Sequence, residues 1–165
     1  MDVNASIEQI AGILIREDFQ FDASADKRSY RLLFGTAGVF VHAYRWNETS
    51  VMIKVHSPVV QGIDPESPGG AEALNLLNVL NQTHVFVKFR LLNGTLIAEY
   101  DLLGDTLQAG EMRNAVLTVA AAADHLDDDL ASRLGGKRFD TVLEEWDSAH
   151  EDDQAPDDSG DDDED

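Results

Sequence analysis

The sequence predicts an α+β fold with the element order α-β-β-β-α-β-β-α, in which a five-stranded, mainly antiparallel sheet has helices packed on one face. Two observations lead to this prediction. Apolar residues recur at helical spacing in three segments. Between these segments lie short runs rich in β-branched and aromatic residues, bounded by turn residues, as is typical of strands. The chain has 165 residues and no cysteine, so a single domain must hold its core by packing alone.

The first predicted element is an amphipathic helix over residues 6–17. Its apolar positions recur every three or four residues, at Ile7, Ile10, Ala11 and Leu14. Ser6 is the expected N-cap, because its hydroxyl can accept a hydrogen bond from an unpaired backbone N–H of the first turn. Gln9, three residues later, has the position of its capping-box partner.

Three strands are predicted after this helix, over residues 30–34, 39–46 and 51–60. All three runs are rich in the β-branched and aromatic residues that favour a pleated, half-buried surface. Residues 35–38 (Gly-Thr-Ala-Gly) and 47–50 (Asn-Glu-Thr-Ser) have the composition of hairpin loops. We therefore expect three antiparallel strands that pair in chain order.

A break, a short second helix and a hairpin are predicted in the middle of the chain. The residues that break the sheet are Pro65, Pro68, Gly69 and Gly70. Residues 71–80 then have the spacing of a helix. Asn93-Gly94 is a favoured type I′ turn, so the runs 85–92 and 96–103 on either side of it are expected to be strands four and five of a hairpin.

The longest predicted helix covers residues 111–134. Its apolar positions follow a three-four repeat, at Met112, Val116, Val119, Ala123, Leu126, Leu130 and Leu134. Gly135 and Gly136 are expected to end it. Several alanines allow another surface to approach closely, as expected if this helix lies across the sheet. Residues 139–146 are expected to add a last helical turn or two.

Acidic residues are concentrated at one end of the chain. The formal net charge is -20, and residues 147–165 contain 11 acids with no Lys or Arg. Dense like charge with few apolar residues cannot offset the entropy of ordering. We therefore divide the chain into a folded domain, residues 1–146, and a disordered acidic tail, residues 147–165. Asp outnumbers Glu by 21 to 11 and Lys occurs only four times, a bias that favours a halophilic source.

This charge also limits the partners. Nucleic acid and anionic membranes are bound through clustered Lys and Arg, so neither nucleic acid nor membrane is expected as a partner. The sequence has no apolar run near the roughly 18 residues that span a bilayer, and it opens without the basic region of a secretory signal. We expect a cytoplasmic protein.

No motif for catalysis or for a cofactor is recognisable. The P-loop, the dinucleotide-binding glycine pattern and the zinc-binding His-Glu-x-x-His are absent, and the five histidines are scattered. Residues 124–129 (Asp-His-Leu-Asp-Asp-Asp) contain suitable ligands for a divalent ion, but their helical phase is expected to place the acids on the solvated side. We predict a protein that is not an enzyme and binds no cofactor or metal. An enzyme with scattered catalytic residues stays a third hypothesis.

One face of the predicted sheet has the composition of a contact surface. Strand alternation directs an apolar face toward the helices. The opposite face carries rings, a methionine and cations, namely Phe40, His42, Tyr44, Trp46, Met52, Lys54, Lys88 and Arg90. Aromatic rings give rigid contact area and methionine adapts to irregular partners, so these are the candidate partner-binding residues. Two alternatives stay open. In the first, the rings are covered by the third helix, by the last segment of the chain or by another subunit. In the second, the strand phase is wrong by one residue, which would exchange the two faces of the sheet.

Several of these segments together resemble a known family. They are the helix 73–81 (ALNLLNVLN), the strand 85–89 (VFVKF), the Asn93-Gly94 turn, the strand 96–102 and the alanine-rich third helix. Over most of residues 5–138 the chain is similar to the YbjN-like and type III secretion chaperone-like superfamily. This resemblance implies a small α+β fold that binds peptides or partner proteins, commonly as a homodimer, without enzymatic activity.

The combined prediction is a non-enzymatic protein- or peptide-binding module, acting as a dimeric chaperone-like protein or a regulatory adaptor. Apolar side chains of the client would dock on the rings, and Lys54, Lys88 and Arg90 would orient its carboxylates. Leu76, Val79 and Leu80 on the second helix form the candidate dimer interface, because apolar residues there exceed one face. The alternative is a structural or assembly subunit whose aromatic face is buried in a larger complex.

Overall fold

A computed structural model describes residues 2–141 of the chain. Its helices are α1 (Val3–Arg16), α2 (Pro68–Thr83) and α3 (Ala109–Leu134), with a 3₁₀ turn at Gly104–Thr106. Its strands are β1 (Asp22–Ala23), β2 (Ser29–Phe34), β3 (Ala37–Arg45), β4 (Val51–Gln61), β5 (Lys88–Leu92), β6 (Thr95–Leu103) and β7 (Lys137–Arg138). The predicted α+β class and the order of the long elements are confirmed. The two-residue strands β1 and β7 are additional to the prediction.

The strands form one antiparallel sheet in the order β1-β2-β3-β4-β6-β5. β4, with 11 residues, pairs with β3 on one side and with β6 on the other. β7 pairs with Val60 and Gln61 at the end of β4. Val60 also pairs with Leu96 of β6 on its other side. β7 therefore lies on the same side of β4 as β3, beyond the point where the pairing with β3 ends.

Alternate residues of the central strands form the core. Val39 and Val41 of β3 and Val55 of β4 have no exposed surface, and neither does Met112 of α3. These side chains belong to one continuous apolar cluster that includes residues of α1, α2 and α3. The helices therefore cover one face of the sheet, and the strand phase predicted from alternation is correct.

The start of α1 differs from the prediction. The helix begins at Val3 with Asp2 as its N-cap residue, so Ser6 as the N-cap was wrong. Ser6 lies inside the helix, where its hydroxyl donates to the carbonyl of Asp2 four residues earlier. Gln9 does not act as a capping-box partner either, because its side-chain amide donates to the carbonyl of Leu107.

The boundaries of α2 and β5 also differ from the prediction. α2 begins at Pro68, because Ser67 caps it by accepting a hydrogen bond from Gly70 N–H at 3.2 Å. The predicted strand 85–92 starts only at Lys88. Val85 and Phe86 lie in a bend, where their side chains are 86% and 66% exposed. A composition rich in β-forming residues is thus not sufficient to form a strand where no neighbouring strand pairs with the backbone.

Two acids of α3 hold the loop between β2 and β3. The Thr36 hydroxyl lies 2.6 Å from Asp127 Oδ2, and the Thr36 N–H donates to Asp124 Oδ1 at 3.0 Å. Asp127 is only 5% exposed, so placing it on the solvated side of the helix was wrong. Its burial is compensated by hydrogen bonds to the carboxylate.

The end of α3 directs the chain back to the sheet. Gly135 adopts a left-handed conformation with φ of 69°, which ends the helix in the usual way, and β7 follows. The backbone of residues 139–141 is helical. The rest of the predicted last turns, 142–146, and the acidic tail, 147–165, lie outside the described residues. Within the described part of the chain, the helices are too short or too polar to cross a bilayer.

Gly69 and Gly12 offer a matched test of this packing. A Cβ at Gly69 would lie 2.2 Å from the carbonyl oxygen of Leu134, whereas a Cβ at Gly12 meets no heavy atom within 4 Å. We expect Gly69→Ala to lower the free energy of unfolding by about 1–3 kcal/mol, because α2 must move away from the end of α3. We expect Gly12→Ala to raise it by up to about 1 kcal/mol, because alanine is the better helix former. Urea unfolding followed by circular dichroism measures both, and changes of the same sign would contradict this packing.

Candidate functional site

The candidate site is the sheet face opposite the helices, here called the open face. It consists of the side chains that alternate with the core on β2 to β6. The register places Phe40 beside His56, His42 beside Lys54, and Tyr44 beside Met52. Lys88 and Arg90 of β5 reach the same face, beside Glu99 and Ile97 of β6. Trp46 follows directly after β3 and continues the alternation.

The rings of the open face form a continuous patch. His56 stacks on Phe40 with ring centroids 5.5 Å apart, and His42 contacts His56 at 5.3 Å and Tyr44 at 5.9 Å. None of these side chains belongs to the apolar core cluster, and the described helices pack on the other face. Trp46 is 57% exposed. The described helices do not cover the rings, so the alternative of cover by the third helix is wrong.

Phe139 covers one corner of this patch. Its ring meets the Phe40 ring edge-on, with centroids 5.7 Å apart. Gly38 makes room for it, because a Cβ at that position would lie 2.2 Å from the Phe139 ring. Cover by the last segment of the chain thus holds at this corner of the sheet, and cover by another subunit stays a prediction.

The cations of the open face are paired within the chain. Lys54 Nζ lies 2.8 Å from Asp101 Oδ1 and 3.0 Å from Glu99 Oε2. Arg90 Nε lies 2.8 Å from Glu99 Oε2, and Lys88 pairs with Asp101. These five residues form what we call the charge cluster. Three positive charges face two negative ones, so one positive charge is in excess.

Hydrogen bonding keeps the centre of the charge cluster ionised. Burial alone would lower the pKa of Lys54, but hydrogen bonds to Asp101 and Glu99 outweigh it and raise the pKa. Burial would raise the pKa of Asp101, but hydrogen bonds from Lys54 and Lys88 lower it. Sequence reasoning missed Glu99 and Asp101. Their alternation on β6 was visible, but only the register places them beside these cations.

The two histidines of the patch are held neutral. Burial, with smaller effects of His42 and Lys54, lowers the pKa of His56 to about 4. Burial and the charge of Lys54 lower the pKa of His42, against an opposing effect of Asp101. The buried His56 Nδ1 has no hydrogen-bond partner among the described residues. The aromatic patch is therefore uncharged at neutral pH.

The predicted dimer residues have different environments on α2. Leu80 is 6% exposed and belongs to the core. Leu76 is partly buried against the core, whereas Val79 is 54% exposed. Leu76 and Val79 are three residues apart and share one side of the helix, so these two leave an apolar strip at its surface.

A groove on the helix side of the molecule was not predicted. It has a volume of about 660 Å³ and is lined by His84, Asn114, Leu117, Thr118, Ala121, Ala122 and His125. Its lining contains two histidines, His84 and His125, and no carboxylate. Among residues 2–141, no three His, Asp or Glu side chains are placed to hold a metal ion.

The burial of His56 predicts a pH effect on stability. Its pKa is about 4 in the folded chain and about 6.5 when unfolded, so between these values the unfolded chain binds more protons. Stability due to the neutral ring is complete above pH 6.5 and is lost as the pH falls toward 4. We expect the native protein to lose about 2 kcal/mol relative to His56→Phe between pH 7 and pH 5. Urea unfolding at several pH values measures this difference, in which titrating groups that do not interact with His56 cancel. Parallel pH profiles for the two proteins would contradict the burial of His56.

The site and fold can be compared with known proteins. Residues 5–142 match the family model described as T3SS (YopN, CesT) and YbjN peptide-binding chaperone 1. A chain in the crystal structure of the ExsC-ExsE complex is similar, with 18% identity and a TM-score of 0.57 over 79% of this chain and 97% of that chain. The crystal structure of YbjN from E. coli is similar with 9% identity and a TM-score of 0.53, over 74% and 92% of the respective chains. No curated protein sequence matches this chain.

The family model and the structures agree on one assignment. The two similar structures share their fold with this chain, and the family model spans the helices and the whole sheet. The resemblance inferred from the sequence is thereby confirmed. The chain belongs to the family of type III secretion and YbjN peptide-binding chaperones.

Proposed function

We propose that this chain is a non-enzymatic, chaperone-like protein that binds an extended or amphipathic segment of a client protein on its open face. The observation that supports this most directly is the patch of half-buried rings around His42, continued by the exposed Trp46, on a face that the described helices leave free and on a chain whose net charge is -20. A solvated sheet face is normally polar, whereas an exposed apolar patch is typical of an interaction site.

The open face has an apolar half, formed by the aromatic patch, and a charged half, formed by the charge cluster. These two halves would contribute differently to recognition. Tyr44, Trp46 and Met52 offer apolar area beside neutral imidazoles, so a client's apolar side chains can dock there without desolvating a charge. The charge cluster is already paired internally, so it adds little affinity for a carboxylate. Its excess positive charge selects against cationic segments and sets the orientation of an acidic one.

Recognition by the face is favoured because the sheet edges are poorly available. β5 is an edge strand, but the side chain of Asn81 occupies the outward backbone groups of its second residue, Phe89. The Asn81 Oδ1 accepts from Phe89 N–H at 2.8 Å, and its Nδ2 donates to the Phe89 carbonyl at 3.0 Å. This side chain takes the place that a client strand would need for β-augmentation. The other edge strand, β1, is two residues long.

We also propose that the protein is a homodimer that uses the surface strip of α2. Leu76 and Val79 supply an apolar contact there, while Leu80 stabilises the helix from within the core. An adaptor role is compatible with this arrangement, since the open face and the strip of α2 lie on opposite sides of the sheet.

The dimer makes a direct prediction about mass in solution. Size-exclusion chromatography with light scattering should give twice the mass of the chain, and Val79→Glu should give the monomer, because a charge would be buried at the contact. Leu74→Glu, on the other flank of α2 and 60% exposed, is the control and should leave the dimer intact. A native monomer would contradict the dimer, and an obligate larger assembly would favour a structural subunit instead.

Binding on the open face can be tested with peptides selected from a random phage-displayed library on the full-length protein. Trp46→Glu should weaken the selected peptides at least tenfold, because it places a charge in the apolar half of the site. Leu74→Glu makes the same change at a similarly exposed residue, 60% against 57%, on the helix side, and should alter affinity less than twofold. Fluorescence anisotropy measures both dissociation constants. Equal effects of the two variants would refute recognition by the open face.

A further inference from the structure

A second apolar surface lies on the helix side of the sheet, at the bend between α2 and β5. Val85 and Phe86 in this bend are both exposed. The Phe86 ring stacks on Tyr100 with ring centroids 6.1 Å apart and an angle of 15° between the rings. Tyr100 packs against the apolar core, so this contact holds the Phe86 ring on the helix side. Phe86 is thus an aromatic side chain that is held at one face and is otherwise open to a partner.

The groove on the helix side begins close to this ring. His84, two residues before Phe86, lines the groove. The His84 ring packs against Phe89 with ring centroids 4.9 Å apart, and its Nδ1 lies 3.0 Å from the Leu80 carbonyl oxygen. The rest of the lining comes from α3, where the small side chain of Ala121 is exposed. With a volume of about 660 Å³, the groove has room for an aromatic side chain.

The apolar strip of α2 belongs to the same surface. Glu72, Leu76 and Val79 follow one another at helical spacing and share one side of α2. Glu72 binds Arg133 of α3 at 2.7 Å, so this side of α2 is turned toward α3. The strip, the groove and the bend with Phe86 therefore form one surface, on which a projecting ring lies beside an apolar depression.

The charge of the chain favours this surface for a contact between two copies. Because the net charge is -20, two copies repel each other wherever their acids meet. The described residues that line the groove include no Asp, Glu, Lys or Arg, whereas α3 exposes Glu111, Asp128 and Asp129 outside the groove. A second copy can thus gain apolar contact here without placing acids against acids.

We propose that a second copy of this chain occupies the groove, with Phe86 of each copy inserted into the groove of the other. The proposal rests on the proposed homodimer and extends its contact from the strip of α2 to α3. A two-fold contact requires one patch to match itself, and a ring beside a depression meets this requirement. Aromatic side chains that fill a pocket of the partner usually contribute most to the affinity of an interface. We therefore expect Phe86 to be essential for the dimer.

The dissociation constant of the dimer tests the ring and the groove separately. Phe86→Glu should raise it at least tenfold, and so should Ala121→Glu, which places a charge in the groove from an exposed position of α3. Leu74→Glu makes the same change at a similarly exposed residue, 60% against 66% for Phe86, and should raise it less than twofold. Sedimentation equilibrium of the full-length variants measures all three. Effects of Phe86→Glu and Ala121→Glu no larger than that of Leu74→Glu would overturn the proposal.

The insertion itself can be tested with engineered cysteines, because the chain has none. Val85→Cys, which keeps the Phe86 ring, and Ala121→Cys are purified separately with different tags, mixed and oxidised. The disulfide between these two variants should be at least tenfold more abundant than the one between Leu74→Cys and Ala121→Cys, because only Val85 is next to the inserted ring. Equal yields of the two disulfides would contradict the insertion.

The outcomes separate this inference from the proposed function. A native monomer would overturn the homodimer and the insertion together, and client binding on the open face would stand. A dimer that Val79→Glu dissociates, but Phe86→Glu and Ala121→Glu do not, would overturn the insertion alone. If Ala121→Glu leaves the dimer intact and weakens the binding of a library-selected peptide, the groove holds a client segment and the insertion is wrong.

Discussion

The alternation along β4 is the constraint on which the rest of the structure depends. Val51, Ile53 and Val55 point into the core, while Met52, Lys54 and His56 point to the open face. Both neighbouring strands take their register from β4, so one phase fixes which side chains meet across the sheet. A slip of β4 by one residue would turn Lys54 toward the helices, away from Glu99 and Asp101, and expose the valines, and the desolvation of an unpaired charge makes this costly. The alternation that places the valines in the core therefore also determines which side chains form the open face.

The molecule combines a protected edge with an unprotected face. Edge strands attract other strands through unpaired backbone groups, and Asn81 satisfies both groups of Phe89 on β5. The open face instead offers side chains whose polar groups are mostly satisfied. Its carboxylates are paired and its histidines are held neutral at pH 7. A client bound there as we propose would gain mainly apolar contact, which depends on shape and area more than on backbone hydrogen bonds.

Features of the fold that follow from the periodicity of apolar residues could be predicted from the sequence. Specific contacts between residues of different elements could not. Alternation placed Phe40, His42 and Tyr44 on one face, and the three-four repeat found α3 to within two residues at its start. Ser6 had a plausible capping pattern, but the true start of α1 depends on contacts of the first residues with the fold. Asp127 seemed to fall on a polar helical side until the β2–β3 loop was placed beside it. Glu99 became a partner of Lys54 only through strand register. The misses at Asp127 and Glu99 involve contacts between residues distant in the chain, which local spacing does not encode.

The acidity of the chain and the apolar character of the open face act over different ranges. A net charge of -20 repels other anions at a distance, but salt shortens that distance from about 10 Å at 0.1 M to about 3 Å at 1 M. Apolar contact is not screened, and it strengthens where salts are excluded from protein surfaces. If the Asp-rich composition is an adaptation to concentrated salt, charge cannot be the main source of affinity under working conditions. The proposed contact of a client with the rings of β3 and β4 would survive there. The paired charges beside them then serve orientation, because contact distances of 2.8–3.0 Å lie within even the shorter screening length.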